Sequence, residues 1–127
     1  QNNDNLVLWG TGLPRREFTY SKDLASILVH VLKFYDGELP LNVGNTEEYS
    51  IKAITEMICK FMDYNITNNP IIWDKSKPSG QFRKPSDNSR FLKLGWSKKR
   101  YTPLETGLKK MCEWFTENYP NIRGVNK

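Results

Sequence analysis

"LVLWGTGLPRREFTYSKDLASILVHVLKFYD" occupies residues 6–36. Leu6 to Trp9 is an apolar run long enough for a buried strand, and Gly10 to Pro14 is a turn cluster. Arg16 to Tyr20 reads as a second strand by its Phe, Thr and Tyr. Ser21 then reads as a helix N-cap, with Asp23 in the first turn, where the helix dipole favours a carboxylate. Leu24, Ile27, Leu28, Val31, Leu32 and Tyr35 recur at helical spacing, and Asp36-Gly37 ends the helix.

The same alternation continues downstream. Leu41 to Val43 reads as a short strand closed by Gly44-Asn45. Ser50 caps a helix whose apolar face is Ile51, Ile54, Met57, Ile58, Phe61 and Met62. Ile71 to Trp73 is a further apolar run, and Asp74 to Ser86 is a basic loop with two prolines and Gly80. Asp87 caps a short helix that stops at Gly95. Thr102-Pro103-Leu104-Glu105 combines a capping box with Pro at the first helical position, ahead of the stripe Leu104, Leu108, Met111, Cys112 and Phe115. Residues 120–127 read as a loose tail. Strands alternating with about four helices define an α/β chain with one small sheet of short strands, and residues 1–127 form one domain.

Composition sets the bounds. The 127 residues are 38% hydrophobic and 13% aromatic, a globular balance. The net charge of +5 suits an anionic small molecule as well as a nucleic acid. Cys59 and Cys112 stand far apart in helical segments and read as buried, reduced thiols. No apolar run approaches the ~18 residues of a membrane span, so no membrane partner is expected. The polar start from Gln1 to Asn5 is no signal peptide, which makes the cytoplasm the expected compartment. The first residue is not Met, so the chain reads as a fragment of something longer.

Phosphate can be held by glycines or by cations, and residues 6–20 contain both. Gly10-Thr11-Gly12 lacks the third glycine and the following helix of a dinucleotide fingerprint, and no Lys-Ser/Thr makes it a Walker loop. Its glycines read as a tight turn. Arg16, inside a strand at the edge of that turn, can offer two parallel N–H donors to a diphosphate, or be a solvated cation paired with Glu17. From Lys75 to Arg100 nine residues are basic and one, Asp87, is acidic; the stretch can close over an anion or be a solvated face. His30 reads as a surface or boundary residue, since no motif gives it a nucleophile partner. Core packing is the plain reading of Trp9, Trp73, Trp96 and Trp114. There is no metal-ligand spacing, no G-x-S-x-G and no H-E-x-x-H.

Four stretches taken in order carry a resemblance: "VLWGTGLPRREFTYSKDLA", "LNVGNTEEYSIKAITEMI", "DKSKPSGQFRKPSDNSRFLKLGW" and "YTPLETGLKKMCEWFTENY". Over residues 6–119 the chain resembles the C-terminal, substrate-binding part of the GDP-L-fucose synthase family, in the extended short-chain dehydrogenase/reductase superfamily. "NVG…SI" and "D-N-S-R…LGW" are common to the superfamily, whereas "WGTG-x-P-R-R-E-F" and "K-P-S-G-Q-F-R-K" are narrower. The resemblance implies an enzyme that epimerises GDP-4-keto-6-deoxy-D-mannose at C3 and C5 and reduces it with NADPH to GDP-L-fucose. It implies substrate contacts at Trp9, Arg16 and Lys84, and at Ser79, which stands where the family has an acid. Asp87 is a cap without chemistry. The NADP-binding loop and the catalytic residues belong to the family's N-terminal domain, which also builds most of its homodimer. The chain alone is therefore expected to be monomeric, to bind no NADPH and to be inactive.

Two rivals remain at this stage. One is a stand-alone module for nucleic acid or another acidic partner, using residues 75–100 with Phe82, Phe91 and Trp96 as stacking groups. The other is the substrate domain of a different extended-family epimerase or dehydratase.

Overall fold

The computed structural model describes residues 5–123. Four short strands and four helices follow one another: β1 (Val7–Trp9), β2 (Arg15–Glu17), α1 (Ser21–Phe34), β3 (Glu48–Ser50), α2 (Ile51–Phe61), β4 (Ile72–Asp74), α3 (Ser89–Leu92) and α4 (Leu104–Asn118). A 3-10 turn at Lys98–Arg100 precedes α4. The chain is α/β, but the strands form two separate pairs instead of one small sheet. β1 runs parallel to β4 with Leu8 opposite Trp73. β2 runs antiparallel to β3 with Arg16 opposite Tyr49.

Leu41–Val43 is not a strand. Its apolar side chains pack instead against the cluster of Ile27, Phe91 and Trp96, joined by Val31, Leu92, Leu94 and Tyr101. Full burial of Phe91 and Ile27 contributes about 1.5–3 kcal/mol for each side chain. Burial on the other helices centres on Ile54 and Cys59 of α2 and Leu108 and Cys112 of α4, which packs on α2. The stripe of α1 is only partly used. Ile27 is buried, whereas Leu28 and Leu32 are 51% and 84% exposed, on a face that no described element covers.

Capping follows tertiary contacts more than local motifs. Ser21 is the first helical residue of α1, and the cap position is Tyr20 without a side-chain bond. Ser50 does cap α2, its hydroxyl accepting from the Ala53 N–H at 3.1 Å. No capping box forms at α4, whose cap position is Pro103. Asp23 of α1 takes Thr102 instead, accepting from its N–H at 2.7 Å and its hydroxyl at 2.8 Å. Before α3 the Asp87 carboxylate accepts from the Ser89 N–H at 2.8 Å, which holds its pKa below the ordinary value, but the cap position is Asn88, without a side-chain bond, and the helix ends at Leu92, short of Gly95.

His30 sits at the core boundary. Its Nε2 lies 2.9 Å from the Leu94 carbonyl, and its ring packs on Phe34, Phe91 and Trp96. The four tryptophans do not share one role. Trp96 is buried, whereas Trp9 and Trp114 are 70% and 54% exposed, so core packing fails for those two.

Candidate functional site

The turn between β1 and β2 is where the glycines are spent. Gly10 and Gly12 have φ of 79° and 72°, the left-handed region that glycine tolerates. The space a Cβ would need is filled in both cases. At Gly10 it lies 2.7 Å from the Ser79 hydroxyl oxygen, and at Gly12 it lies 2.6 Å from the Trp73 ring. The turn also stitches β4 and α2 together. The Gly10 N–H donates to the Asp74 carbonyl at 2.9 Å. The first amides of α2, Ile51 and Lys52, donate to the carbonyls of Pro14 and Gly12 at 3.0 and 2.8 Å. Those are the donors a helix N-terminus would otherwise offer to a phosphate. Neither the glycine turn nor the α2 terminus therefore has room or free donors for the pyrophosphate of a dinucleotide cofactor.

The charge lies one strand further on. Arg15 and Arg16 diverge, as alternating strand residues do. The Arg15 guanidinium donates to the Glu48 carbonyl at 2.8 Å, while that of Arg16 donates through Nη1 to the Arg15 carbonyl at 2.6 Å. Arg16 Nη2 lies 3.6 Å from where a Gly80 Cβ would be, so the basic loop passes beside it. Glu17 does not pair with Arg16. Its carboxylate accepts from the Ser86 N–H at 3.1 Å and the Ser86 hydroxyl at 2.6 Å. Among the described residues Arg16 makes no ion pair.

Three anchors hold the loop on β2 and β3. The Arg15 N–H donates to the Phe82 carbonyl at 2.8 Å, Arg83 pairs with the Glu48 carboxylate, and Ser86 binds Glu17. Hydrogen bonding from Arg83, aided by the charges of Arg15 and Arg16, holds the Glu48 carboxyl below its ordinary value. Arg83 alone is bonded to this carboxylate, while Arg15 and Arg16 act on it only through their charge, which leaves an excess of positive charge beside β2.

Of the residues expected from sequence, Trp9, Arg16 and Ser79 meet this turn and loop. Trp9 stands exposed with Lys77 Nζ 5.8 Å from its ring centroid, a cation–π arrangement. Ser79 is bonded to the turn: its hydroxyl accepts from the Thr11 N–H at 3.2 Å. Lys84 is exposed between the Arg83 and Ser86 anchors, with no ion pair among the described residues. Thr11, Glu48, Lys77 and Gly80 were missed. Lys77 and Gly80 flank Ser79 within the narrow K-P-S-G stretch, but nothing local marks Glu48 as the partner of a residue 35 positions on.

The cations of residues 75–100 are not one free surface. Arg83 is tied to Glu48, Arg90 donates to the Pro40 carbonyl and the Tyr35 hydroxyl, and Arg100 stacks 3.9 Å over Trp96. Of the three aromatics expected for base stacking, Phe91 and Trp96 are buried and only Phe82 is exposed. A separate groove of about 720 Å³ between Phe18–Lys22 and α4 is lined by Leu104, Met111 and Trp114. None of Trp9, Arg16, Ser79 or Lys84 lines it. Its apolar walls suit an anion less well than the arginines do. Among the described residues no cluster can hold a metal, and no helix is long and apolar enough to cross a membrane.

The class follows from fold and comparison together. The sequence model of the NAD dependent epimerase/dehydratase family matches residues 1–44. A solved GDP-L-fucose synthetase from Naegleria fowleri, bound to NADP, superposes with a TM-score of 0.84 at 34% identity, over 92% of this chain and 36% of that one. The fold is that of the C-terminal part of an extended short-chain dehydrogenase/reductase.

More particularly, the chain is similar to enzymes of GDP-sugar metabolism. A probable GDP-L-fucose synthase 1 from Oryza sativa is 36% identical over 92% of this chain. A GDP-L-colitose synthase from Yersinia pseudotuberculosis is also 36% identical, over 90% of it. The chain spans about a third of these relatives' length, 34% and 36% respectively.

Proposed function

We propose that this chain is the nucleotide-sugar-binding part, residues 1–127, of a GDP-L-fucose synthase. The complete enzyme would epimerise GDP-4-keto-6-deoxy-D-mannose at C3 and C5 and reduce it with NADPH. The observation that carries the reading is the Arg16 guanidinium, without a carboxylate partner among the described residues, held between the glycine turn and the basic loop. Arg16 offers its fork to the diphosphate, Lys84 adds a second charge, and Trp9 provides a flat wall for sugar or base. Ser79 borders the same space. Gly10-Thr11-Gly12 and the α2 terminus do not fit a pyrophosphate; in this reading a further, N-terminal domain holds NADPH and the catalytic groups, and the complete enzyme is a cytoplasmic homodimer. Gly10-Thr11-Gly12 only turns the chain in this reading, since packing fills both glycine positions.

The test is calorimetric titration of GDP into the full-length protein. Arg16→Lys keeps the charge and loses the fork, and it should weaken binding by about 1–3 kcal/mol. Arg15→Lys should cost less than ~0.5 kcal/mol, as at an ordinary surface site. A larger loss at Arg15 than at Arg16 refutes the assignment.

A further inference from the structure

Ser79 does something more specific than border the site. Its hydroxyl accepts from the Thr11 N–H at 3.2 Å and lies 3.4 Å from the Thr11 hydroxyl, and that hydroxyl accepts from the Leu13 N–H at 3.3 Å. The approach is close because position 10 is glycine: a Cβ there would stand 2.7 Å from the Ser79 hydroxyl oxygen and 2.9 Å from its Cα. The next residue, Gly80, has φ of 73° and carries the loop past Arg16 Nη2. The loop is anchored again at Phe82, whose carbonyl accepts from the Arg15 N–H at 2.8 Å. Among the described residues between Asp74 and Phe82, Ser79 is the residue whose side chain hydrogen-bonds the turn.

We infer that Ser79 is a positioning residue: its hydroxyl latches the 75–82 loop to Thr11 and so fixes the backbone that walls in the Arg16 guanidinium. This rests on the proposed reading of Arg16 as a diphosphate ligand. A guanidinium confined before the ligand arrives loses less freedom on binding it. Lys77 is carried by the same latch, since it sits two residues before Ser79 and over the Trp9 ring. The hydroxyl serves the ligand at one remove, accepting from the Thr11 N–H and sharing a hydrogen bond with the Thr11 hydroxyl.

The experiment combines calorimetry with amide hydrogen exchange on the full-length protein, using GDP and inorganic pyrophosphate as probes. Ser79→Ala should weaken GDP binding about two- to tenfold, the span that the net worth of one hydrogen bond covers. It should also speed exchange at the Thr11 amide while leaving the Arg15 amide, anchored on Phe82, unchanged. Ser79→Thr keeps the hydroxyl and should restore both. GDP binding unchanged in Ser79→Ala overturns the inference, as does a Thr11 amide that exchanges no faster. Wild-type protein that binds pyrophosphate but not GDP overturns the GDP reading alone, and the Ser79 comparison is then decided with pyrophosphate. Wild-type protein that binds neither overturns both.

Discussion

Replacing Gly12 by Ala tests how the glycine turn is held. Two costs apply there. With φ at 72°, an L-residue pays the left-handed penalty of about 1–2 kcal/mol. The new Cβ would also stand 2.6, 2.7 and 2.9 Å from Cη2, Cζ2 and Cζ3 of Trp73, all inside contact distance. Trp73 is half-buried on β4, so its ring moves only by disturbing the strand pair, an overpacking cost of about 1–3 kcal/mol. The sum is about 2–5 kcal/mol. Gly95 supplies the internal control, since its φ is 86° and a Cβ there meets nothing within 4 Å. Gly95→Ala should therefore show the backbone cost alone. The loss of unfolded-state freedom on going from Gly to Ala is common to both variants and cancels in their difference. Urea denaturation followed by tryptophan fluorescence measures each variant, and Gly12→Ala should be the less stable by about 1–3 kcal/mol. If it is no less stable than Gly95→Ala, the Trp73 ring does not pack over the turn and the account of the filled glycine positions falls.

Two further expectations concern titrating groups. The folded chain holds the Glu48 carboxyl below its unfolded value, chiefly through Arg83, so the unfolded chain takes up the proton first. The Glu48 contribution is then complete above about pH 4.5 and is lost as pH falls on through the folded value; Glu48→Gln should show a shallower fall in urea midpoint over that window, and equal slopes count against the Arg83 pairing. Burial pushes the thiols of Cys59 and Cys112 above their ordinary range, so at pH 8 both should react with a thiol reagent slowly in the native protein and fast in denaturant. Rapid labelling of either in the native state contradicts their burial.

Periodicity made α1, α2 and α4 legible, because each repeats apolar residues over at least two turns. It failed where an element has no signal of its own. Glu48–Ser50 contains no apolar run, and it is a strand only because Arg15–Glu17 lies opposite it. Leu41–Val43 has the composition of a strand but pairs with no strand among the described residues, and Leu41 and Val43 pack on the core instead. Thr102 carries a capping-box pattern, yet a carboxylate 79 residues earlier takes its hydroxyl. Each failure has the same cause. Pairing partners distant in sequence decide which local preference is realised, and no local window contains them.

Residues 6–20 carry two kinds of site information. The identity of Arg16 as a cation at a turn edge is local, and it is visible in the string. Whether that cation is available is not local, since availability depends on where every nearby carboxylate goes. Glu17 is adjacent in sequence and is the natural suspect, but strand alternation turns it to the other face, where Ser86 satisfies it. Glu48 is the next candidate, and Arg83 occupies it. Arg16 is left without a carboxylate partner among the described residues because Glu48 and Glu17 are bonded to partners 35 and 69 positions away. Replacing either claimant, Arg83 or Ser86, would release a carboxylate beside β2. In the proposed reading of Arg16 as a diphosphate ligand, anion affinity therefore depends on Arg83 and Ser86 as well as on the arginine itself.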